Sequence, residues 1–357
     1  MCRVSGRANR IQVCQKILTA TISRCSIWRP KFLGSNAIVD AAVRLPGGTH
    51  PDKLLSRITK VTNPQMFSLM SLSDPVRRRF LHAAAAGGAL TLVGCSVTTL
   101  INQFTPSGRY RVTRDLRYGT AHRQQLDVCQ PSVRASLVPV VVFFYGGNWD
   151  SGARADYLFA GAALAARGYL AVVPDYRLFP EVRFPDFLHD CAAAVRWTVD
   201  HAGEFGGDTA RLYLMGHSAG AYNAAMLALD SEYLQAAGVE QRRISGLIGL
   251  AGPYDFRPLI GKVTREVFGY PDTPARTQPI SFAAAGAPRS LLVTGSADDI
   301  VDPGNSRRLA ARLREQGASV REIEYANLGH RALIGALAAP LQRLAPVLDD
   351  ISAFIGA

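Results

Sequence analysis

Several chemistries are missing from the sequence. The chain of 357 residues holds no H-E-x-x-H and no paired C-x-x-C, the spacings that gather imidazoles or thiolates around one ion. It also lacks a phosphate-cradling G-x-x-x-x-G-K-[ST] and a dinucleotide-binding glycine fingerprint. Metal-assisted, nucleotide-dependent and redox classes therefore have no sequence support, and no cofactor and no metal are expected. Cysteine is sparse, with six in all. Cys2, Cys14 and Cys25 lack ligand spacing, and Cys129 and Cys191 sit in apolar contexts that read as core positions, although sequence alone leaves open whether they are bridged. Residues 95–357 contain no internal repeat and no low-complexity tract.

Acidic charge is scarce at one end only. The chain carries a net +12, yet residues 1–94 hold 14 Lys or Arg against 3 Asp or Glu, leaving 26 against 25 for residues 95–357. A basic excess confined to a leader does not make a nucleic-acid-binding surface, so no nucleic-acid partner is expected.

The boundary at residue 94 is marked by more than charge. Arg77, Arg78 and Arg79 precede Phe80 and Leu81, followed by an apolar run from Ala83 to Val93 and then Gly94 and Cys95. Charge followed by a short apolar run is the build of a secretory signal, and the run is too short for the roughly 20 residues of a membrane helix. The doubled arginine resembles a bacterial twin-arginine export signal. Leu92, Val93, Gly94 and Cys95 resemble a lipobox, which implies acylation of Cys95 and a membrane anchor. The expected organisation is a leader over 1–65, absent from the native product or without fixed structure, with translation starting at Met66 or Met70. An export signal over 66–94 and a catalytic domain over 95–357 follow. The expected location is the bacterial cell envelope, on the periplasmic side.

Within 95–357, apolar runs alternate with amphipathic stretches. Pro139–Tyr145, Tyr169–Pro174, Leu212–Met215, Leu247–Leu250, Ser290–Thr294 and Val320–Tyr325 have the length and β-branched content of buried strands. Helical stretches are expected over Tyr157–Arg167, Phe187–Ala202, Ala219–Leu229, Gly304–Gln316 and Pro340–Phe354, with antiparallel strands at one edge from Tyr110 to Asp127. Alternation of this kind predicts an α/β fold: a mostly parallel sheet with helices on both faces.

The strongest chemical signal is LYLMGHSAGAYNAAM, residues 212–226. Gly216, Ser218 and Gly220 fit the G-x-S-x-G elbow, in which a strand turns sharply into a helix and pushes a serine hydroxyl outward. A serine needs a base and an orienting acid, in the order serine, acid, histidine for this architecture. Downstream of Ser218 there is one histidine, His330. The stretch LLVTGSADDIVDP offers Asp298, Asp299 and Asp302 as acids, and those not used suit the start of the helix near Gly304. Oxyanion donors are expected from the Ala219 amide and from FFYGGNWDSG, residues 143–152, where two glycines let the backbone turn its amides inward.

With YGGNW, GHSAG and the segment PDYRLFPEVRFPDFLHD (residues 174–190), the chain from about 115 to 355 resembles an α/β-hydrolase of the carboxylesterase group, which includes hormone-sensitive-lipase-like esterases, prenylcysteine methylesterases and kynurenine formamidases. The resemblance implies the α/β-hydrolase fold with a small lid and a Ser218-His330-Asp298 triad. It also implies an oxyanion hole from the amides of Gly147, Asn148 and Ala219, with Tyr145 standing where many members have histidine. Gly252 to Pro288 is expected to form the lid, with Tyr254, Phe256, Phe268 and Tyr270 either lining a pocket or covering the sheet. Asp175, Arg177 and Glu181 are expected to be structural, as are His122, His189, His201 and His217, where they are not simply exposed. The implied activity is hydrolysis of a small carboxylic ester. The alternatives are an aryl-formamide hydrolase and, less well supported because all three triad roles can be filled, a non-catalytic binding protein.

Overall fold

The computed structural model describes residues 101, 102, 105, 108–133, 136–269 and 274–357. The leader, the export signal, Cys95 and Tyr270 lie outside the described residues. Eight strands form one sheet: β1 (Tyr110–Arg117), β2 (Gln125–Pro131), β3 (Val138–Phe144), β4 (Leu170–Pro174), β5 (Gly207–His217), β6 (Ile244–Leu250), β7 (Ser290–Gly295) and β8 (Val320–Tyr325). Their spatial order is β1-β2-β4-β3-β5-β6-β7-β8. β1 and β2 are antiparallel, and every pairing from β4 to β8 is parallel.

The buried stretches of the central strands are apolar because helices cover the sheet on both faces. β4 and β7 are buried at every position. Helices α1 (Leu158–Ala166), α2 (Asp186–His201) and α3 (Ala219–Leu229) follow β3, β4 and β5 in the chain. α3 is buried on all sides and packs on β5 and β6. A helix enclosed in this way must be apolar all round, and its alanines at 219, 221, 224, 225 and 228 keep it slim enough to lie against the middle of the sheet.

After β3 the chain returns to lay β4 on one side, then crosses to place β5 on the other. At such a reversal the loops leaving two neighbouring strands diverge and open a crevice at their carboxyl ends. The YGGNW loop leaves β3 and the GHSAG elbow leaves β5 at this point, and Phe144 and Gly216 are paired in register.

Two expected boundaries differ from the structure. The stretch Pro340–Phe354 is not one helix: a 3-10 turn at Ala339–Leu344 is followed by α8 (Val347–Gly356). Pro346 has no amide to donate and excludes the helical conformation from the residue before it, so Ala345 is extended at φ −164°. β5 is longer than Leu212–Met215 because it is paired on both sides, with β3 and with β6. The remaining helices are α4 (Ser231–Ala236), α5 (Lys262–Phe268), α6 (Gly304–Glu315) and α7 (His330–Gly335). No helix among the described residues is long and apolar enough to cross a membrane.

Candidate active site

Ser218 caps α3 with φ 55° and ψ −124°, a left-handed conformation that a serine adopts only under constraint. The constraint comes from both sides of the elbow. The Ser218 amide donates to the Leu250 carbonyl at 2.9 Å, and a Cβ on Gly220 would stand 2.0 Å from the Phe144 carbonyl oxygen. Only glycine permits that approach. The same loop brings β3 to the serine: a Cβ on Gly146 would lie 2.8 Å from the Ser218 Cβ.

The YGGNW loop is strained in series. Gly147 has φ 139°, Asn148 51° and Trp149 61°, and a left-handed non-glycine residue costs about 1–2 kcal/mol. Local hydrogen bonds hold it: the Gly147 carbonyl accepts from Asp150 N at 3.1 Å, Ser151 N at 3.0 Å and Ser151 Oγ at 2.9 Å. Trp149 is buried, donates from Nε1 to Asn223 Oδ1 at 3.1 Å, and meets Phe268 and Tyr222 edge-on at 4.8 and 5.2 Å. Phe256 stacks on its other side at 6.2 Å.

Behind the loop lies a buried network that begins at Tyr145. Its hydroxyl donates to Asp175 Oδ1 at 2.8 Å and accepts from Arg123 Nη2 at 2.7 Å, while Arg123 also holds the Gly152 carbonyl at 2.8 Å. Arg154 bridges Asp175, Asp127 and Asp115. Burial, and then the Asp175 charge, push the Tyr145 phenol well up, so it remains a neutral donor. Asp175 and Arg177 are therefore structural, the latter bound to Asp190 at 2.8 Å. Glu181 and His122 are exposed, and so is His189, which touches Tyr233 edge-on; His201 stacks on Trp197.

His330 begins α7, just after β8, and Asp298 sits in the turn after β7. Nδ1 of His330 and Oδ2 of Asp298 are 2.8 Å apart, with the His330 side chain almost wholly buried and that of Asp298 fully so. Burial alone would raise the Asp298 carboxyl. The hydrogen bonds from His330, Val301 N (2.9 Å) and Ile300 N (3.0 Å) outweigh it and hold the group below the usual carboxylate range. Of the rival acids, Asp302 accepts from the Gly304 amide at 2.9 Å and supports the start of α6, and Asp299 is exposed. His217 was expected to be structural, and it is buried, but it also touches His330: the two rings lie 4.6 Å apart.

These elements converge on one cavity of about 630 Å³. Ser218, His330, Gly147, Asn148 and Ala219 all line it, joined by Trp149, Tyr157, His217 and Phe256. Tyr157 is a residue the sequence did not single out; its phenol is pushed up to about 12, chiefly by burial, and stays protonated. The lid segment contributes Pro253 to Ile260 and Thr264 in part. Tyr254 does not line the cavity: it is buried, with its hydroxyl against Gly249 of β6, and Phe268 belongs to the aromatic cluster around Trp149. Cys129 and Cys191 are free and buried.

An eight-stranded, mostly parallel sheet with a strained serine elbow at its reversal point is an α/β-hydrolase fold. Residues 126–313 match the BD-FAE family, and the chain belongs to it. It is similar to isoprenylcysteine alpha-carbonyl methylesterase ICME of Arabidopsis thaliana, at 30% identity over 245 residues, which cover 62% of this chain and 57% of that protein. Esterase LipC of Mycobacterium tuberculosis is 30% identical over 243 residues, covering 62% of this chain and 60% of its own. The chain thus spans somewhat over half the length of these curated relatives. Among solved structures, a carbohydrate esterase from gut microbiota shares the fold with a TM-score of 0.63 at 17% identity, covering 70% of this chain and 97% of that one.

Proposed function

We propose that the protein is a serine hydrolase of carboxylic esters. Ser218 attacks the ester carbonyl as His330 takes its proton, and Asp298 holds the imidazole with Nε2 toward the serine and offsets the charge that forms. The amides of Gly147, Asn148 and Ala219 receive the negative charge of the tetrahedral intermediate, aided by the N-terminal dipole of α3. His330 then gives the proton to the departing alcohol, and a water repeats the sequence to release the acid from Ser218.

The observation that carries this reading is the 2.8 Å contact between His330 Nδ1 and the buried Asp298 carboxylate, on the wall of the cavity that Ser218 faces. A histidine so oriented beside a strained serine has a catalytic use and little structural one. The test is hydrolysis of 4-nitrophenyl butyrate by the wild-type chain and by Ser218→Ala. Activity in the first and none in a folded second supports the reading; equal activity in both removes Ser218 from the reaction.

Trp149 and Phe256 on the cavity wall favour a second use of the same site, on an aryl formamide, which a rate comparison between phenyl formamide and phenyl ester substrates would reveal. The signal-like run ending at Cys95 supports an exported, lipid-anchored protein on the periplasmic side of a bacterial envelope. A Cys95→Ala protein that still fractionated with membranes would refute the anchor.

A further inference from the structure

Three arginines line the cavity, and only one of them is engaged. Arg308 reaches Asp255 Oδ2 at 2.7 Å and Asp302 Oδ2 at 3.3 Å, and donates to the Asp255 carbonyl at 2.8 Å. Asp255 and Asp302 are the two carboxylates on the wall, and both are already held by that guanidinium. Arg257, in the lid segment after β6, and Arg331, which follows His330 on α7, face the same cavity and have no partner among the described residues.

This excess is local. Residues 95–357 are almost neutral, at 26 basic against 25 acidic, and several arginines elsewhere on the surface are paired, among them Arg307 with Glu324, Arg314 with Glu322 and Arg196 with Asp200. Two guanidiniums without a partner among the described residues therefore face a cavity whose two carboxylates are already held by a third. The wall beside them is apolar: Trp149 and Phe256 lie inside, and Ile260 and Ile300 remain 82% and 55% exposed at the cavity.

We propose that this site selects esters that carry a free carboxylate, with an apolar body against Trp149 and Phe256 and the carboxylate met by Arg257 and Arg331. Guanidinium is the side chain whose paired donors match a carboxylate, and such charge-assisted bonds are stronger than neutral ones. Arg331 adjoins the residue that protonates the departing alcohol, which favours a carboxylate on the alcohol side of the ester. The inference deepens the ester-hydrolase reading and rests on it.

The test uses the full chain and two matched pairs: 3-carboxyphenyl butyrate against phenyl butyrate, and the 4-nitrophenyl monoester of glutarate against 4-nitrophenyl pentanoate. Each rate is corrected for uncatalysed hydrolysis. The expected result is a kcat/KM on the order of tenfold higher for the charged member of at least one pair. The preference should lie mainly in KM and shrink as salt is raised to about 0.5 M. Arg257→Glu and Arg331→Glu should each lower the charged-to-neutral ratio by about threefold or more. Because the ratio is read within one preparation, a partly unfolded variant depresses both rates and leaves it unchanged. Equal use of charged and neutral esters, or a preference that survives both reversals, overturns the proposal while leaving the esterase reading intact. Failure to cleave any ester, neutral ones included, removes that reading and the inference with it.

Discussion

The imidazole of His217 packs on that of His330, with ring centroids 4.6 Å apart and planes inclined at 45°, and its Nε2 lies 3.3 Å from the His330 carbonyl oxygen. A carbonyl only accepts, so Nε2 carries the proton. Nδ1 is then a lone pair, buried and without a protein partner. The variable position of the elbow, at the end of β5, thus holds down the backbone of His330, which follows β8 three strands away.

This arrangement makes stability depend on pH. Burial, and then the charge on His330, depress the His217 pKa from 6.5 to about 3. The unfolded chain therefore takes up a proton that the folded chain refuses. The contribution is complete above about pH 6.5 and is lost progressively as the pH falls toward 3. At pH 5 the expected loss is about 2 kcal/mol. Urea unfolding midpoints at pH 5 and 7 should show it, and His217→Gln should flatten that difference. Asp298 acts lower, in the window beneath its ordinary value of 3.8, because its stability is present above that value and lost as the pH falls through the depressed one.

Asp298→Asn should lower kcat by about a thousandfold or more with a smaller change in KM, since an amide leaves the imidazole in the wrong tautomer. Asp299→Asn, at an exposed position beside Asp298, should stay within about twofold of wild type. Steady-state kinetics on both variants separate the two neighbouring acids.

Gly147→Ala tests the oxyanion loop. A Cβ there would lie 2.1 Å from the Ser151 carbonyl oxygen, at a φ of 139°. The loop must move and take its amides with it, so kcat should fall on the order of 100- to 1,000-fold, read by single-turnover acylation alongside a circular dichroism check of the fold.

Tyr145→Phe removes the hydroxyl shared by Arg123 and Asp175. Both partners are then left short of a bond in a largely buried setting, which should cost about 1–3 kcal/mol in denaturant unfolding. Part of the loss should also appear in kcat, because the same network holds the Gly152 carbonyl behind the oxyanion loop.

Local chemistry was readable from the chain, and long-range contact was not. Gly216, Ser218 and Gly220 declare themselves because the elbow is a steric problem that glycine alone solves. His330 follows because no other downstream histidine exists. Asp298 could be separated from Asp299 and Asp302 only through the family resemblance; in space it is distinguished by the turn after β7, which points one carboxylate at His330 and gives it the amides of Ile300 and Val301. His217 reaches its partner across 113 positions of chain, beyond any periodicity. Arg154 had no pattern around it, and its importance arises only where β2, β4 and the loop after β3 meet. Tyr254 was left open between pocket and sheet for the same reason: an aromatic in a lid-like segment gives no sign of turning back beneath β6. Pro346, by contrast, was a legible break that the apolar pattern around it concealed.

Ser218 and His330 belong to different neighbourhoods of the sheet. Ser218 leaves a strand gripped on both sides, whereas His330 hangs from β8, the last strand, half-exposed and paired to β7 alone. Edges fray before centres open. On the proposed mechanism, gentle heating or dilute urea should therefore silence ester hydrolysis while most of the backbone order persists, so loss of turnover reports the loosening of one margin of the molecule and not its collapse.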